Sequence, residues 1–257
     1  MKRSIAVVMD PIERINTAKD TSFALMLEAQ RRGYGLFYVE PGSLSVQHAL
    51  AHGRLATLKI KDVKNQYFEL GEWQNTALSS VDAVLMRKDP PVDDQFIHDT
   101  QILSLAESQG VLVVNRAQGL RDMNEKLTTL LFPQCCPETL VSRSMTDLKE
   151  FIRRHGDTVV KPLNGMGGKS IFRIRHGDGN ANVILETLTD SGSLTMAQKF
   201  IPEIAQGDKR ILLVDGEPVP YVLARIPQGD EFRGNLAAGG RGQGQPLSER
   251  DRWIAQQ

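Results

Sequence analysis

Three things are scarce in this sequence, and each scarcity removes a class of protein. Cysteine is the first: Cys135 and Cys136 are the only two, and they are adjacent. Neighbouring residues seldom meet disulfide geometry without backbone strain, and no Cys-x-x-Cys or Cys/His spacing suggests zinc. A reducing, cytoplasmic setting is expected, with the thiols read as packing groups. An excess of one charge is the second: 31 basic residues meet 31 acidic ones. No surplus cation is available to neutralise a nucleic-acid backbone, so nucleic acid is not an expected partner. Long apolar runs are the third. The chain opens on Met1-Lys2-Arg3, but the apolar run at 5–9 stops at Asp10-Pro11, too short for a signal-peptide core. Nothing approaches the roughly 20 apolar residues of a membrane helix, so no membrane association is expected.

What is present looks like an ordinary globular chain. Its 257 residues suggest more than one domain, and 40% hydrophobic content allows a core without disulfides or metals. In the first half, short apolar runs at 4–9, 36–39, 83–86 and 111–114 alternate with helical patterns near 23–32 and 93–109. Asp20, Thr21 and Ser22 are N-cap candidates for the first, Asp93 and Asp94 open the second, and Gly33 and Gly110 are stops. That alternation predicts a parallel α/β sheet covered on both faces. Residues 54–70 break the rhythm and read as an extra loop or hairpin. After about residue 135 the character changes. Helices at 146–155 and 183–189 sit among strand-like runs at 158–161, 170–175, 196–200, 210–214 and 221–226, with a hairpin turn at Asp215-Gly216. This half reads as α+β with antiparallel strands. Residues 228–245 hold six of the chain's 22 glycines and read as a long lid or a disordered connector.

The sequence Asn164-Gly165-Met166-Gly167-Gly168-Lys169-Ser170 imitates a phosphate-binding P-loop. Leu163 stands where that motif needs its first glycine, and residues 170–175 alternate as a strand instead of opening a helix. The segment is therefore strand, glycine loop, strand: either a flap whose amides close over phosphate or an ordinary glycine-rich turn. Lys161, at the end of an apolar strand, is a phosphate partner or a snorkelling surface lysine. Lys126 falls in a predicted helix over 122–127.

Taken together, these residues resemble the ATP-grasp fold, and further segments resemble the bacterial glutathione synthetase family. They are Val8-Met9-Asp10-Pro11, Leu85-Met86-Arg87-Lys88-Asp89-Pro90-Pro91, Leu120-Arg121-Asp122-Met123-Asn124-Glu125-Lys126-Leu127, and Lys161-Pro162-Leu163-Asn164 running into the glycine loop. Further along come Gly207-Asp208-Lys209-Arg210, Leu223-Ala224-Arg225-Ile226-Pro227, and Arg233-Gly234-Asn235-Leu236-Ala237-Ala238-Gly239-Gly240-Arg241. The resemblance implies an N-terminal pre-ATP-grasp α/β domain (1–122), a central lid domain (123–200) and an incomplete C-terminal module (201–257). It implies that Lys126 and Lys161 hold ATP phosphates under a flap of Gly165, Met166, Gly167 and Gly168. Gln198, Lys199, Phe200 and Ile201 would form the hinge at the adenine, where relatives often carry another polar residue in place of Lys199. Asp208 would meet the ribose or the linking strand. Arg210 and Arg225 would be the catalytic clamp, and Arg233, Asn235, Gly239, Gly240 and Arg241 the covering loop. Arg87 would contact a substrate carboxylate.

The implied reaction is ligation of glycine to γ-glutamylcysteine through an acyl phosphate, with ATP and Mg2+ (Mn2+ as a substitute), in a homo-oligomer. Cations suit that chemistry, because phosphoryl transfer is mostly positioning and charge neutralisation. Family members run on past Gln257 into strands that supply the magnesium ligands, so no metal ligands are expected within this chain and its ligase activity is expected to be low. Two other readings remain at this point: an ATP-grasp ligase for a different acid and amine, or a nucleotide-binding protein without turnover.

Overall fold

The structure is a computed structural model that describes residues 3–229, 231–236 and 239–257. The chain divides into two compact units, Met1–Met123 and Asn124–Gln257.

The first unit is built on one mixed sheet. Its strands are β1 (Ser4–Val8), β2 (Gly35–Val39), β3 (Ser45–Gln47), β4 (Leu50–Ile60), β5 (Phe68–Ala77), β6 (Ala83–Met86) and β7 (Leu112–Val114). They lie in the order β3-β4-β2-β1-β6-β7, and β5 pairs with the far edge of β4. Strands β2, β1, β6 and β7 are parallel. Helix α1 (Thr21–Arg31) packs Phe23 and Met26 on Val7, Leu36 and Tyr38. Helix α2 (Asp94–Ser108), with α3 (Ala117–Asp122) behind it, packs Phe96 and Leu103 with Ala6, Val8 and Val84. Alternate residues of β1 thus serve opposite cores, which is why its sequence reads as an unbroken apolar run. Asp20 and Asp93 cap their helices by accepting from the amides of Phe23 and Phe96.

An all-parallel sheet is therefore corrected to a mixed one. The region around 54–70 is a long antiparallel hairpin, β4–β5, with a register shift at Ala56–Leu58. The small Ala51 and Gly53 and the register shift hide its alternation, yet Ala51, Leu55, Leu58 and Ile60 are all buried. Gln30 of α1 holds it by bonding both the Ile60 carbonyl (2.7 Å) and amide (2.8 Å).

In the second unit, β8 (Thr139–Ser142), β9 (Asp157–Pro162), β10 (Phe172–Arg175) and β11 (Thr195–Lys199) form an antiparallel sheet ordered β10-β9-β11-β8. Helices α4 (Met145–His155) and α5 (Ala181–Leu188) cover one face, packing Leu148, Phe151, Ile152 and Leu185 on Val160, Ile174 and Ala197. By the period of two, Val159, Lys161 and Gln198 belong to the other face. A second antiparallel sheet holds β12 (Asp208–Val214), β13 (Glu217–Ile226) and β14 (Arg241–Pro246). Asp215 and Gly216 both adopt positive φ (54° and 82°), the geometry of a two-residue hairpin turn. Helix α6 (Glu249–Ala255) opens on a Ser248/Asp251 capping box, and Asp251 also receives Lys209 at 2.8 Å.

Three sequence expectations change here. Lys126 is not helical: α3 ends at Asp122, and the Asn124 side chain takes the amides of Lys126 and Leu127 at 3.0 and 3.1 Å, turning the chain. The strand expected from 170 begins at Phe172, because Ser170 has a φ of 55°. The end of the 228–245 segment is not a loop: Arg241–Pro246 pairs with β13 over its full length, so main-chain bonds override its glycine content.

Candidate functional site

Within the second unit the uncovered sheet face borders a cavity of about 240 Å³. Val159, Lys161 and Gln198 reach it from β9 and β11. Lys199, Phe200 and Ile201 reach it as the chain leaves β11, followed by Ile204 and Asp208. Ile171 enters from the end of the glycine loop, and Arg233, Gly234 and Asn235 from the segment after β13. The expected hinge, one of the two lysines, Asp208 and part of the covering loop therefore share one cleft.

Its charge is unbalanced. Lys161 Nζ donates to Gln198 Oε1 at 2.7 Å and has no carboxylate partner among the described residues. Burial, and secondarily the charge of Lys126, push its pKa below the ordinary lysine value. Lys126 sits at the root of the glycine loop, donating to the carbonyls of Leu163 (3.0 Å) and Gly165 (3.2 Å) and pairing with the exposed Glu125 (3.1 Å). An anion entering here would restore to Lys161 the counter-charge it lacks.

The loop and the segment after β13 meet. Arg233 Nη1 donates to the Gly168 carbonyl at 2.8 Å, and Glu231 grips the same guanidinium, which draws the Glu231 pKa down to about 2. Gly168 has a φ of 81°, and a Cβ there would lie 2.7 Å from Asn235 Oδ1, so only glycine fits. Gly234 is equally constrained, since its Cβ would fall 2.2 Å from the Arg225 carbonyl oxygen. Arg225 forks onto Asp208, Nε to Oδ1 at 2.7 Å and Nη2 to Oδ2 at 2.5 Å, which leaves Nη1 without a partner among the described residues. These two are cross-strand neighbours on β12 and β13.

Other expected site residues lie off the cavity wall. Arg210 is exposed on β12, two residues from Asp208 and so on the same strand face, and its side chain makes no hydrogen bond among the described residues. Arg241 opens β14 and makes one long contact to Gln243 (3.3 Å). Gly165, Met166 and Gly167 belong to the loop rather than the wall, and Met166 is 51% exposed. Gly239 and Gly240 fold back on Leu236 and Asn235 through main-chain bonds of 3.2 and 3.1 Å. Ala237 and Ala238 of that motif lie outside the described residues. Arg87, in the first unit, follows β6 at the carboxyl end of the parallel strands, where open α/β sheets hold ligands. Its Nε donates to Ser22 Oγ at 2.9 Å.

The cavity also has walls that residue reading missed: Pro137, Val159, Ile171, Ile204 and Phe232. As apolar residues in or beside strands they look like core in one dimension. Only the strand parity relative to Val160 could have flagged Val159.

The open-faced antiparallel sheet, its glycine loop and the cleft beside them are features of the ATP-grasp fold. Solved structures agree on that fold: a D-cycloserine synthetase, DcsG, superposes with a TM-score of 0.61 at 16% identity, covering 98% of this chain and 78% of that one. An ATP-grasp RimK domain protein from Sphaerobacter thermophilus gives 0.57 at 19% identity, covering 92% and 80%. Family models carry the assignment further. The prokaryotic glutathione synthetase N-terminal domain matches residues 3–121, and the ATP-grasp domain of the same family matches 125–257. The glutathione synthetase of Xanthomonas campestris pv. campestris is 63% identical over all of this chain and 82% of that protein. That of Pseudomonas aeruginosa is 56% identical over 99% of this chain and 81% of that protein. The chain belongs to the prokaryotic glutathione synthetase family.

Proposed function

We propose that the cavity of the second unit holds the base and sugar of ATP along its apolar wall, with the phosphates on Lys161 and Lys126 beneath the glycine loop. The activity is that of the family: ATP-dependent joining of glycine to γ-glutamylcysteine through an acyl phosphate, releasing glutathione, ADP and phosphate. A carboxylate is a poor electrophile, and taking the γ-phosphoryl group makes it one. That transfer is driven by positioning and by cations placed where negative charge spreads.

Each residue then has a task in this proposal. Lys161 supplies an uncompensated positive charge on the phosphates. Lys126, tied to the Leu163 and Gly165 carbonyls, sets the root of the loop as well as its charge. Arg225 keeps Nη1 for a phosphate or acyl oxygen while Asp208 holds the rest of its fork. Arg210 shares that strand face and completes the clamp. Asp208 retains lone pairs for a ribose hydroxyl. Arg233 and Asn235 fasten the covering loop to the flap, excluding water from an acyl phosphate that would otherwise hydrolyse. Gly239, Gly240 and Arg241 extend that cover, and Arg87 receives a substrate carboxylate.

ATP-grasp ligases use ATP with a divalent metal, and Mg2+ is the ion we propose. The described residues do not fit a resident metal: no three His, Cys, Asp or Glu side chains cluster, and Asp208 and Glu231 both engage arginines. The ion is accordingly taken as part of the nucleotide substrate. No helix among the described residues is long and apolar enough to cross a membrane. A cytoplasmic homo-oligomer is proposed on the reduced thiols and the family resemblance.

The observation that carries the proposal is Lys161, half-buried beside apolar walls, whose ammonium has only the Gln198 amide oxygen for a partner among the described residues. Calorimetric titration of ATP into the chain and into Lys161→Ala tests it. Affinity that survives the substitution unchanged would move the phosphates elsewhere.

A further inference from the structure

One cation beside the cavity has no part in the roles above. Arg173 lies on β10, just beyond the glycine loop. Its guanidinium forks onto Asp157, the first residue of β9, with Nε to Oδ1 at 2.8 Å and Nη2 to Oδ2 at 2.5 Å. The same guanidinium carbon sits 3.6 Å from the centroid of the Phe200 ring. Phe200 in turn donates its amide to the Asp157 carbonyl at 3.0 Å. Three segments converge on this group: the start of β9, the strand that follows the flap, and the hinge that leaves β11. Phe200 is also a wall of the cavity.

A structural explanation exists, since the ion pair also joins β10 to β9. Those strands, however, are already paired at four positions from Phe172↔Val160 to Arg175↔Asp157. A partly exposed ion pair adds little to a ladder already formed. The choice of side chain says more. A lysine could neutralise Asp157, but only the planar guanidinium can fork onto a carboxylate while presenting its face to a ring. Arg173 holds the Asp157 carboxyl below the ordinary range, so the pair stays charged at neutral pH.

We infer that Arg173 is a positioning residue for the nucleotide base: anchored on Asp157, it fixes the Phe200 ring as a rigid wall for the adenine. The inference rests on the proposed placement of the base in this cavity. A ring already held in one orientation loses little freedom when a base packs on it, and the binding site is preorganised to that extent. Release from Arg173 lets the ring turn, and affinity falls although no contact to the nucleotide has been removed.

The experiment is a double-mutant cycle on the full chain, reading the calorimetric Kd for ADP with Mg2+ in the parent, Arg173→Gln, Phe200→Leu and the double variant. Arg173→Lys and thermal melting run alongside. Expected are a loss of about tenfold in Arg173→Gln and nearly as much in Arg173→Lys, which keeps charge but not the planar fork. Phe200→Leu should lose a similar factor, and the double variant should be no weaker than Phe200→Leu alone. Parent-like ADP binding in both Arg173 variants would overturn the inference, even with a lowered melting temperature. So would losses that simply multiply in the double variant. If Phe200→Leu binds ADP normally, the placement of the base fails first and the role of Arg173 falls with it. If Phe200→Leu weakens ADP and the Arg173 variants do not, the base site stands and only the role of Arg173 is lost. Should Arg173→Gln not fold, Arg173→Lys decides on the same terms.

Discussion

The two principal sheets use the same strand geometry for opposite ends. In the first unit β1 is buried on both faces, Val7 against α1 and Ala6 with Val8 against α2. In the second, Val160 and Ala197 face α4 and α5, while Val159, Lys161 and Gln198 border an open cavity. A doubly covered sheet is a scaffold; leaving one face uncovered makes a binding floor. The difference also decides which residue types survive. Lysine and glutamine replace valine only where the second layer of helices is missing, because a buried charge without a partner is costly.

The sharpest test of that contrast sets one residue of each sheet region against the other. Lys161→Ala should remove about 3–4 kcal/mol of transition-state stabilisation, on the order of 10²–10³ in kcat, and leave the melting temperature nearly unchanged. Leu103→Ala, in the closed core, should do the reverse. A loss of about 2–5 kcal/mol of stability in the first unit is expected, with ATP affinity intact, read by denaturant unfolding and calorimetry. If the Lys161 variant unfolds instead, the open face is structural and the contrast fails.

Gly168→Ala probes the cover of that face. The positive φ and the approach of Asn235 make a strain of about 1–3 kcal/mol, expected as slower turnover and faster proteolysis of the loop. An alanine variant with parental turnover would show that the loop and the segment after β13 need not meet.

A smaller effect comes from pH. Lys161 in the free protein has a pKa below the ordinary lysine value, whereas bound phosphate favours its charged form. ATP affinity should therefore be complete below that lowered pKa and fall as pH rises through it, by at most about 1.4 kcal/mol per pH unit for one proton. Lys161→Arg should flatten the alkaline decline; an identical profile would assign the titration to another group. Smallest are the helix caps. Asp93→Ala and Ser144→Ala should each cost about 1 kcal/mol, the first in the Met1–Met123 unit and the second in the Asn124–Gln257 unit. Hydrogen exchange on helices α2 and α4 separates the two.

Legibility in the sequence followed locality. Asp20, Asp93 and Gly156 cap and stop their helices through main-chain groups a few residues away, and such signals can be read in order along the chain. The helical pattern around Lys126 does not fold as a helix because Asn124, two residues before it, diverts the amides into a turn. The β4–β5 hairpin is hard to read because several buried positions are small, Ala51, Gly53 and Ala56 among them, and the register shift at Ala56–Leu58 breaks the period of two. Arg241–Pro246 looked like loop because nothing within it favours a strand; β13 supplies the partner.

The sequence by itself determined the alternation of elements, the break in character near residue 135, the glycine loop that is not a P-loop, and the inventory of cations. Tertiary structure alone decided which of those cations share a cleft, that Asp208 would occupy Arg225, that Arg233 would reach the Gly168 carbonyl, and that Arg173 would cover Phe200. The reason is physical. Caps, turns and periodicity depend on residues within a few positions of one another, whereas a site is made of residues such as Lys161 and Gln198, which come within 2.7 Å only when their strands pair.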